Sequence, residues 1–481
     1  MSQARLTSCL PLPLDNKVLV NVIEKAKDWA LMHGVGMRDK NHFTKDAIQI
    51  APFVLLPSPF PRTEFAKAIE LQPILNELMH KVAHDEEFLE STLQNALQVD
   101  EFTAKLYDVW VKVRSEGITQ SLCLGLFRSD YLMQQPDRNR IKQVEFNTIA
   151  SSFGAITSNL PAMFRYVLRQ LGHGELIKHM PENRALSGLC SGIIEAYDLF
   201  GVPSAVVLFV VEEVSYNICD QRFHEFEISE KRPDIIIYRK TLNEIYDETQ
   251  LNDKKQLILE GQPVAVVYYR SGYEPAQYPS TKEWDARLRV ERSTAIKCPS
   301  IQYQLAGTKK VQQALAAPGV LEKFMGGGNS TGRVRDIFTG LYSLDFDDNG
   351  ERAVEMALAD ADRFVLKPQR EGGGNNLYGG DVRDALLRMR HSRERAAYIL
   401  MERILPPLVS AYVVRPGAQV PPPLTDVVSE LGIFGVIIGS KDKILCNKQV
   451  GHMLRTKLAE ANEGGVAAGL GALDSPFLLD L

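Results

Sequence analysis

Apolar residues recur at three- and four-residue spacing from Asn16 to Leu31, and again, broken by turns, from Glu64 through Val113. That spacing predicts a mostly helical beginning. Pro52, Pro57, Pro59 and Pro61 mark an irregular connection between the two stretches. The pattern then changes. Ser121 to Leu126 and Ile141 to Phe146 read as strands. The first is followed by Arg128-Ser129-Asp130-Tyr131 and the second by Asn147-Thr148-Ile149-Ala150-Ser151-Ser152. Helical spacing returns over Pro161 to Leu171 and Ser187 to Phe200. Ala205 to Val211 and Val264 to Tyr269 are continuous apolar runs, the signature of strands buried on both faces. A polar helix and a strand, Asp234 to Tyr238, lie between them. Past Gly307 helix gives way to Phe364-Val365-Leu366-Lys367, a strand that empties into glycines, and the rest alternates strands and loops. This order predicts an α/β protein in three stretches. They are a largely helical 1–201 that also supplies strands, a small α/β unit at 202–304, and a glycine-rich 305–481.

Composition narrows the class. A chain of 481 residues is too long for one compact core. With 55 Lys plus Arg against 60 Asp plus Glu, the net charge of −5 argues against a nucleic-acid or anionic-membrane surface. No apolar run has the length of a signal peptide or membrane span. The six cysteines are scattered, without C-x-x-C or metal spacing. Free thiols in a reducing compartment, and hence a cytoplasmic location, are expected.

The chemistry concentrates in a few places. In Lys367-Pro368-Gln369-Arg370-Glu371-Gly372-Gly373-Gly374-Asn375-Asn376, glycines let backbone N–H groups approach phosphate oxygens. Lys367 adds a point charge, and Glu371 offers hard oxygens for Mg²⁺. The spacing is neither that of a P-loop nor that of a dinucleotide-binding fingerprint. Gly326-Gly327-Gly328, without such neighbours, reads as a surface turn. Glu145 and Asn147, two apart in a strand, share a face, with Phe146 on the other. Arg455 and Lys457 repeat that logic with positive charge. Lys309-Lys310 opens a helix, and Arg128 and Arg270 each follow an apolar run. The nine histidines show no common spacing, and His452 receives no role. Gly464-Gly465-Val466-Ala467-Ala468-Gly469 forms a small apolar loop able to close over a site.

Arg128 to Tyr131, Glu145 to Ile149, Asn217 with Asp220-Gln221-Arg222, Leu305 to Gln313, Arg363 to Tyr378, Ser429 to Gly435 and Leu454 to Lys457 occur in that order. Together they make the chain resemble the eukaryotic-type glutathione synthetases, ATP-grasp ligases, over nearly its whole length. The resemblance implies an ATP-grasp fold with 202–304 as an inserted substrate-binding unit. It implies a homodimer that joins γ-glutamylcysteine to glycine with ATP, using two Mg²⁺ per site. Glu145, Asn147 and Glu371 would be metal ligands. Glu145, Lys309, Lys367, Gly372, Gly373, Gly374, Asn375, Asn376, Tyr378, Met401, Glu402, Ile404, Glu430, Lys457 and Glu463 would surround ATP. Arg128, Ile149, Ala150, Ser151, Ser152, Asn217, Gln221, Arg270, Tyr273, Arg455, Val466 and Ala467 would meet the peptide substrate or glycine. Arg128, Arg270 and Arg455 are the candidates for stabilising charge on the reacting carbonyl. The family usually has Ser where this chain has Ala150, and Ser215 and Tyr216 also depart from it. The alternative amine is β-alanine, giving homoglutathione, and Ala467-Ala468 favours the smaller glycine. A kinase that stops at the phosphorylated carboxylate and an inactive ATP-binding protein are the rival classes.

Overall fold

Asp15 caps the first helix, Asn16–Met32, its carboxylate accepting from the backbone N–H groups of Lys17 and Val18. Arg62–Ala83, Glu86–Leu97 and Glu101–Glu116 continue the helical beginning, the last two capped by Asp85 and Asp100. The computed structural model describes residues 4–135, 140–371, 373–466 and 470–480. Gly372 and Ala467 therefore lie outside the described residues. Among the described residues no helix is long and apolar enough to cross a membrane.

The largest sheet has seven strands in the order Val409–Val414, Phe53–Val54, Gly471–Asp474, Lys443–Leu458, Leu424–Ser440, Cys123–Gln134 and Arg140–Asn147. Val409–Val414 also pairs with Leu424–Ser440, so five of these strands close into a ring. Helices Arg62–Ala83 and Ala185–Phe200 pack on this sheet. The strand expected at Ser121 to Leu126 instead runs on through Arg128, Ser129, Asp130 and Tyr131 to Gln134. Arg128 to Tyr131 are all buried, and Arg128 pairs with Asp130 along the strand. The helix expected from Pro161 begins earlier, at Gly154, and keeps Pro161 inside it. Its start is fixed by a distant carboxylate. Asp220 accepts from the N–H groups of Phe153 and Ala155, both at 2.9 Å.

A second sheet carries the parallel strands Ile236–Lys240, Val206–Val210, Gln262–Tyr269 and Ile296–Cys298. Val206–Val210 is buried throughout, as a run apolar on both faces requires. The third sheet is antiparallel: Leu341–Ser343, Tyr398–Glu402, Phe364–Pro368 and Leu377–Tyr378. Helices Asp348–Ala359 and Gly380–Met389 cover one face of it. Phe364, Leu366 and Leu400 meet Val354, Ala357, Leu386 and Met389 there in a core of their own. Val365, Lys367 and Met401, on the opposite face, are left to line a cavity. The two larger core clusters each draw side chains from before residue 202, from 202–304 and from after 304.

Candidate functional site

The cavity, about 300 Å³, lies where the small antiparallel sheet faces the seven-stranded one. The small sheet contributes Val365, Lys367, Tyr378, Met401 and Glu402. The large sheet contributes Leu132, Glu145, Asn147, Val428, Glu430, Arg455 and Lys457. Register explains the second set. Glu430 lies opposite both Arg455 and Leu132, and Arg128 lies opposite Asn147. As the two-residue spacing predicts, Glu145 and Asn147 face the cavity while Phe146 enters the core.

The charges are densely paired. Lys309, at the start of helix Lys309–Leu315, places its Nζ 2.9 Å from Glu371 Oε1 and 3.1 Å from Glu145 Oε2. At such a separation, with an effective dielectric near 20, each attraction is roughly 5 kcal/mol before the cost of desolvation. Burial alone would raise the Glu145 carboxyl. Lys309, Lys367 and Arg455 reverse that and hold it well below the usual carboxylate range. For Lys309 the burial penalty is outweighed by Glu145 and Glu371, so its ammonium is held above the ordinary lysine value. Lys367 has only a carbonyl partner, donating to Val144 O at 2.9 Å, and burial brings it down to about 8.

Asp130 organises the floor. It accepts from Arg128 Nε at 2.6 Å and Nη2 at 2.8 Å, and from Asn147 Nδ2 at 3.0 Å. Arg455 Nη2 is 3.5 Å away and also pairs with Glu430. Asn147 therefore spends its N–H donors on Asp130 and the Arg128 carbonyl, leaving Oδ1 as its acceptor. Two carboxylates and an amide oxygen form a hard-oxygen set of the kind Mg²⁺ takes together with substrate phosphates. Among the described residues no group of three or more His, Cys, Asp or Glu could hold a metal alone. The donor set fits a metal shared with a nucleotide.

The glycine-rich loop meets the second loop through Glu463, whose carboxylate accepts from the N–H groups of Gly374 and, at 2.9 Å, Asn376. Gly373 and Gly374 have φ of +73° and +81°, a conformation glycine adopts without strain. Asn375 turns its amide back onto the Gly373 carbonyl at 3.0 Å. Gly464, Gly465, Val466 and Ile404 complete that side of the lining.

Ile149, Ala150, Ser152 and Tyr273 line the other end. Ala150 sits at φ +51°. Ser151 is buried, its hydroxyl 3.4 Å from the Asn147 carbonyl. Arg270 ends its strand as expected but does not line the cavity. It is buried one layer outside, donating to Ser152 Oγ at 3.0 Å and Asp220 Oδ2 at 2.8 Å. Gln221 and Asn217 stand there too. Gln221 Oε1 accepts from Arg239 at 2.7 Å, and Asn217 Oδ1 is buried without a hydrogen-bond partner. Sequence reasoning gave no role to Asp130, Asp220, Arg239 or Arg403, the last of which lines the cavity. Only Asp130 carried a local signal, its two-residue spacing from Arg128 on one strand face. His452, near Arg455 in sequence, is buried against Phe65 and apart from the cavity.

Fold and cavity define a nucleotide-dependent ligase of the ATP-grasp class. The family model for the eukaryotic glutathione synthase ATP-binding domain matches residues 16–478, and the chain belongs to that family. It is 44% identical to a glutathione synthetase of Homo sapiens, over 96% of this chain and 98% of that one. It is 42% identical to one of Xenopus laevis, over 97% and 98%. A chloroplastic glutathione synthetase of Arabidopsis thaliana is 38% identical over 97% of this chain and 86% of its own. Among solved structures, a glutathione synthetase-like effector from Globodera pallida, in apo form, superimposes with a TM-score of 0.78. It is 25% identical and covers 97% of this chain and 98% of its own.

Proposed function

We propose that this chain ligates γ-glutamylcysteine and glycine at the expense of ATP, giving glutathione, ADP and phosphate. The observation that carries the reading is the cavity in which Glu145, Glu371 and Asn147 face Lys367 and Arg455, with Lys309 buried behind the two carboxylates, in a chain of this family. A carboxylate is a poor acyl donor because oxide is a poor leaving group. An oxygen of the cysteinyl carboxylate attacks the γ-phosphorus of ATP, and ADP leaves. The glycine amine then attacks the carbonyl of the acyl phosphate, phosphate departs, and the nitrogen loses a proton.

Lys367 and Lys457 bind and orient the phosphates, and Val365, Met401, Ile404 and Tyr378 provide an apolar wall for the base. Glu145, Asn147 and Glu371 would hold Mg²⁺, two ions per site with the nucleotide, neutralising charge on the transferring phosphoryl group. Arg128 and Arg455 line the cavity and stand beside the reacting carboxyl. Arg270, clamped by Asp220, positions Ser152. The Glu463 contact between the two loops supports their role as lids that keep water from the acyl phosphate.

The enzyme is proposed to be cytoplasmic, a location supported by six cysteines that are all free thiols. It is proposed to be a homodimer, and exposed Met32, Ile48 and Phe226 offer apolar surface for a partner subunit. Sedimentation would report a single subunit mass if the dimer is wrong. Mass spectrometry of products from γ-glutamylcysteine, ATP and Mg²⁺, with glycine and β-alanine competing, tests the reaction. Glutathione is expected. A β-alanine product overturns the choice of amine, and phosphate release without any amine overturns the ligase reading.

A further inference from the structure

Lys309 differs from the other lysines near the cavity. Lys310 is paired with Asp345 at 2.6 Å and with Ser343, away from the lining. Lys367 donates to a carbonyl, and so does Lys457, to that of Asn462. Lys309 alone among these bridges two carboxylates, Glu145 on the seven-stranded sheet and Glu371 in the glycine-rich loop, the pair that would hold a divalent cation. Its backbone is fixed. The Lys310 N–H donates to Gln369 Oε1 at 3.0 Å, and Gly307 packs so closely on Thr148 that a Cβ would lie 2.2 Å from the Thr148 hydroxyl. The ammonium, on a flexible four-carbon stem, can change partners while the helix stays still.

We propose that Lys309 is a cation placeholder: in the nucleotide-free enzyme its ammonium satisfies Glu145 and Glu371, and it moves to the phosphates when metal and ATP enter together. The inference rests on the proposed ATP and Mg²⁺ chemistry of this cavity. Two half-buried carboxylates sharing one ammonium need a counter-charge when no metal is bound. A metal entering alone would strand the displaced ammonium in a buried site beside a new positive charge. A metal entering with the triphosphate gives the ammonium anionic partners. Metal and nucleotide then bind with positive coupling, and by linkage each tightens the other by the same factor.

The test is Mn²⁺ binding to the full-length enzyme, followed by electron paramagnetic resonance of the free ion. In wild type without nucleotide, Mn²⁺ should bind at least about tenfold more weakly than with a non-hydrolysable ATP analogue. Lys309→Met should bind Mn²⁺ at least about tenfold more tightly than wild type without nucleotide, and Lys309→Arg should stay weak. Adding Glu371→Gln to Lys309→Met should abolish the gain, which assigns it to this site. Unchanged or weaker Mn²⁺ binding by Lys309→Met overturns the proposal. If that variant does not fold, equal Mn²⁺ affinity of wild type with and without the analogue overturns it. Failure of the proposed reaction would show separately, as absence of glutathione from wild-type enzyme.

Discussion

The strand Lys443–Leu458 has a half-buried side, which faces the cavity, and a buried far side, and they treat ionisable groups differently. On the cavity side, Arg455 and Lys457 stand among Glu430, Asp130 and Glu145, and opposite charge overcomes burial at Arg455 and Glu145, although burial still raises Glu430 and lowers Lys457. On the far side Thr456 donates to Asp474 at 2.6 Å and shares a 2.7 Å hydrogen bond with Ser429, and His452 packs against Phe65. Among the described residues no cation meets Asp474. Its carboxyl is pushed up to about 7, chiefly by burial against the opposing pull of its hydrogen bonds. His452 is brought down to about 3 by burial. Both are therefore neutral over much of the pH range. Burial alone thus does not mark the site. What marks it is ionised groups kept ionised by partners that a polyanionic substrate can replace.

The largest effect should come from breaking a charge on the cavity side. Glu371→Gln should lower ligation at least about a hundredfold and weaken its Mg²⁺ dependence, with little change in melting temperature. Near-normal turnover would remove Glu371 from the site. Next comes Lys367, which needs its proton to hold phosphate. The kcat/KM for ATP should fall above about pH 8, and Lys367→Arg should move that limb to higher pH.

The far side should show itself in stability. Between its ordinary 3.8 and about 7, folded Asp474 keeps a proton that the unfolded chain has released. Its contribution to stability is therefore full below pH 3.8 and falls as pH rises toward 7. His452 acts in the opposite sense. Its contribution is full above 6.5 and is lost as pH falls toward 3. The two partly cancel between about pH 4 and 6.5. Asp474→Asn should unmask a rise in stability with pH across that window, and His452→Met a fall, both read by chemical denaturation with turnover retained. A flat profile in both variants would mean that neither group is held neutral. The smallest effect should be that of His80, a buried ring brought down to about 4, which adds to the same acid-side loss.

Much of the cavity side was legible because it is written locally. Glu145 with Asn147 and Arg455 with Lys457 follow strand alternation, and Lys367 and Glu371 lead into a glycine run whose positive φ angles suit glycine. Arg128 was legible as a residue but not as part of a strand. Arg128, Ser129 and Asp130 look like a loop until their pairing partners are known. The layer outside the cavity was not legible. Arg270 is held by Asp220 and Gln221 by Arg239, contacts across 50 and 18 residues that no local pattern announces. The same holds for the start of helix Gly154–Gln170, whose cap is Asp220 rather than a neighbour. The far-side pair, Asp474 and Thr456, depends on strand register, which the sequence pattern does not specify.

The central claim is that the buried charges of this cavity serve to phosphorylate a carboxylate and pass it to an amine. Single-turnover ligation with γ-glutamylcysteine labelled with ¹⁸O in its cysteinyl carboxylate tests it most directly. The released phosphate should carry one ¹⁸O atom, and glutathione should retain the other. Unlabelled phosphate, released while glutathione forms, would contradict it.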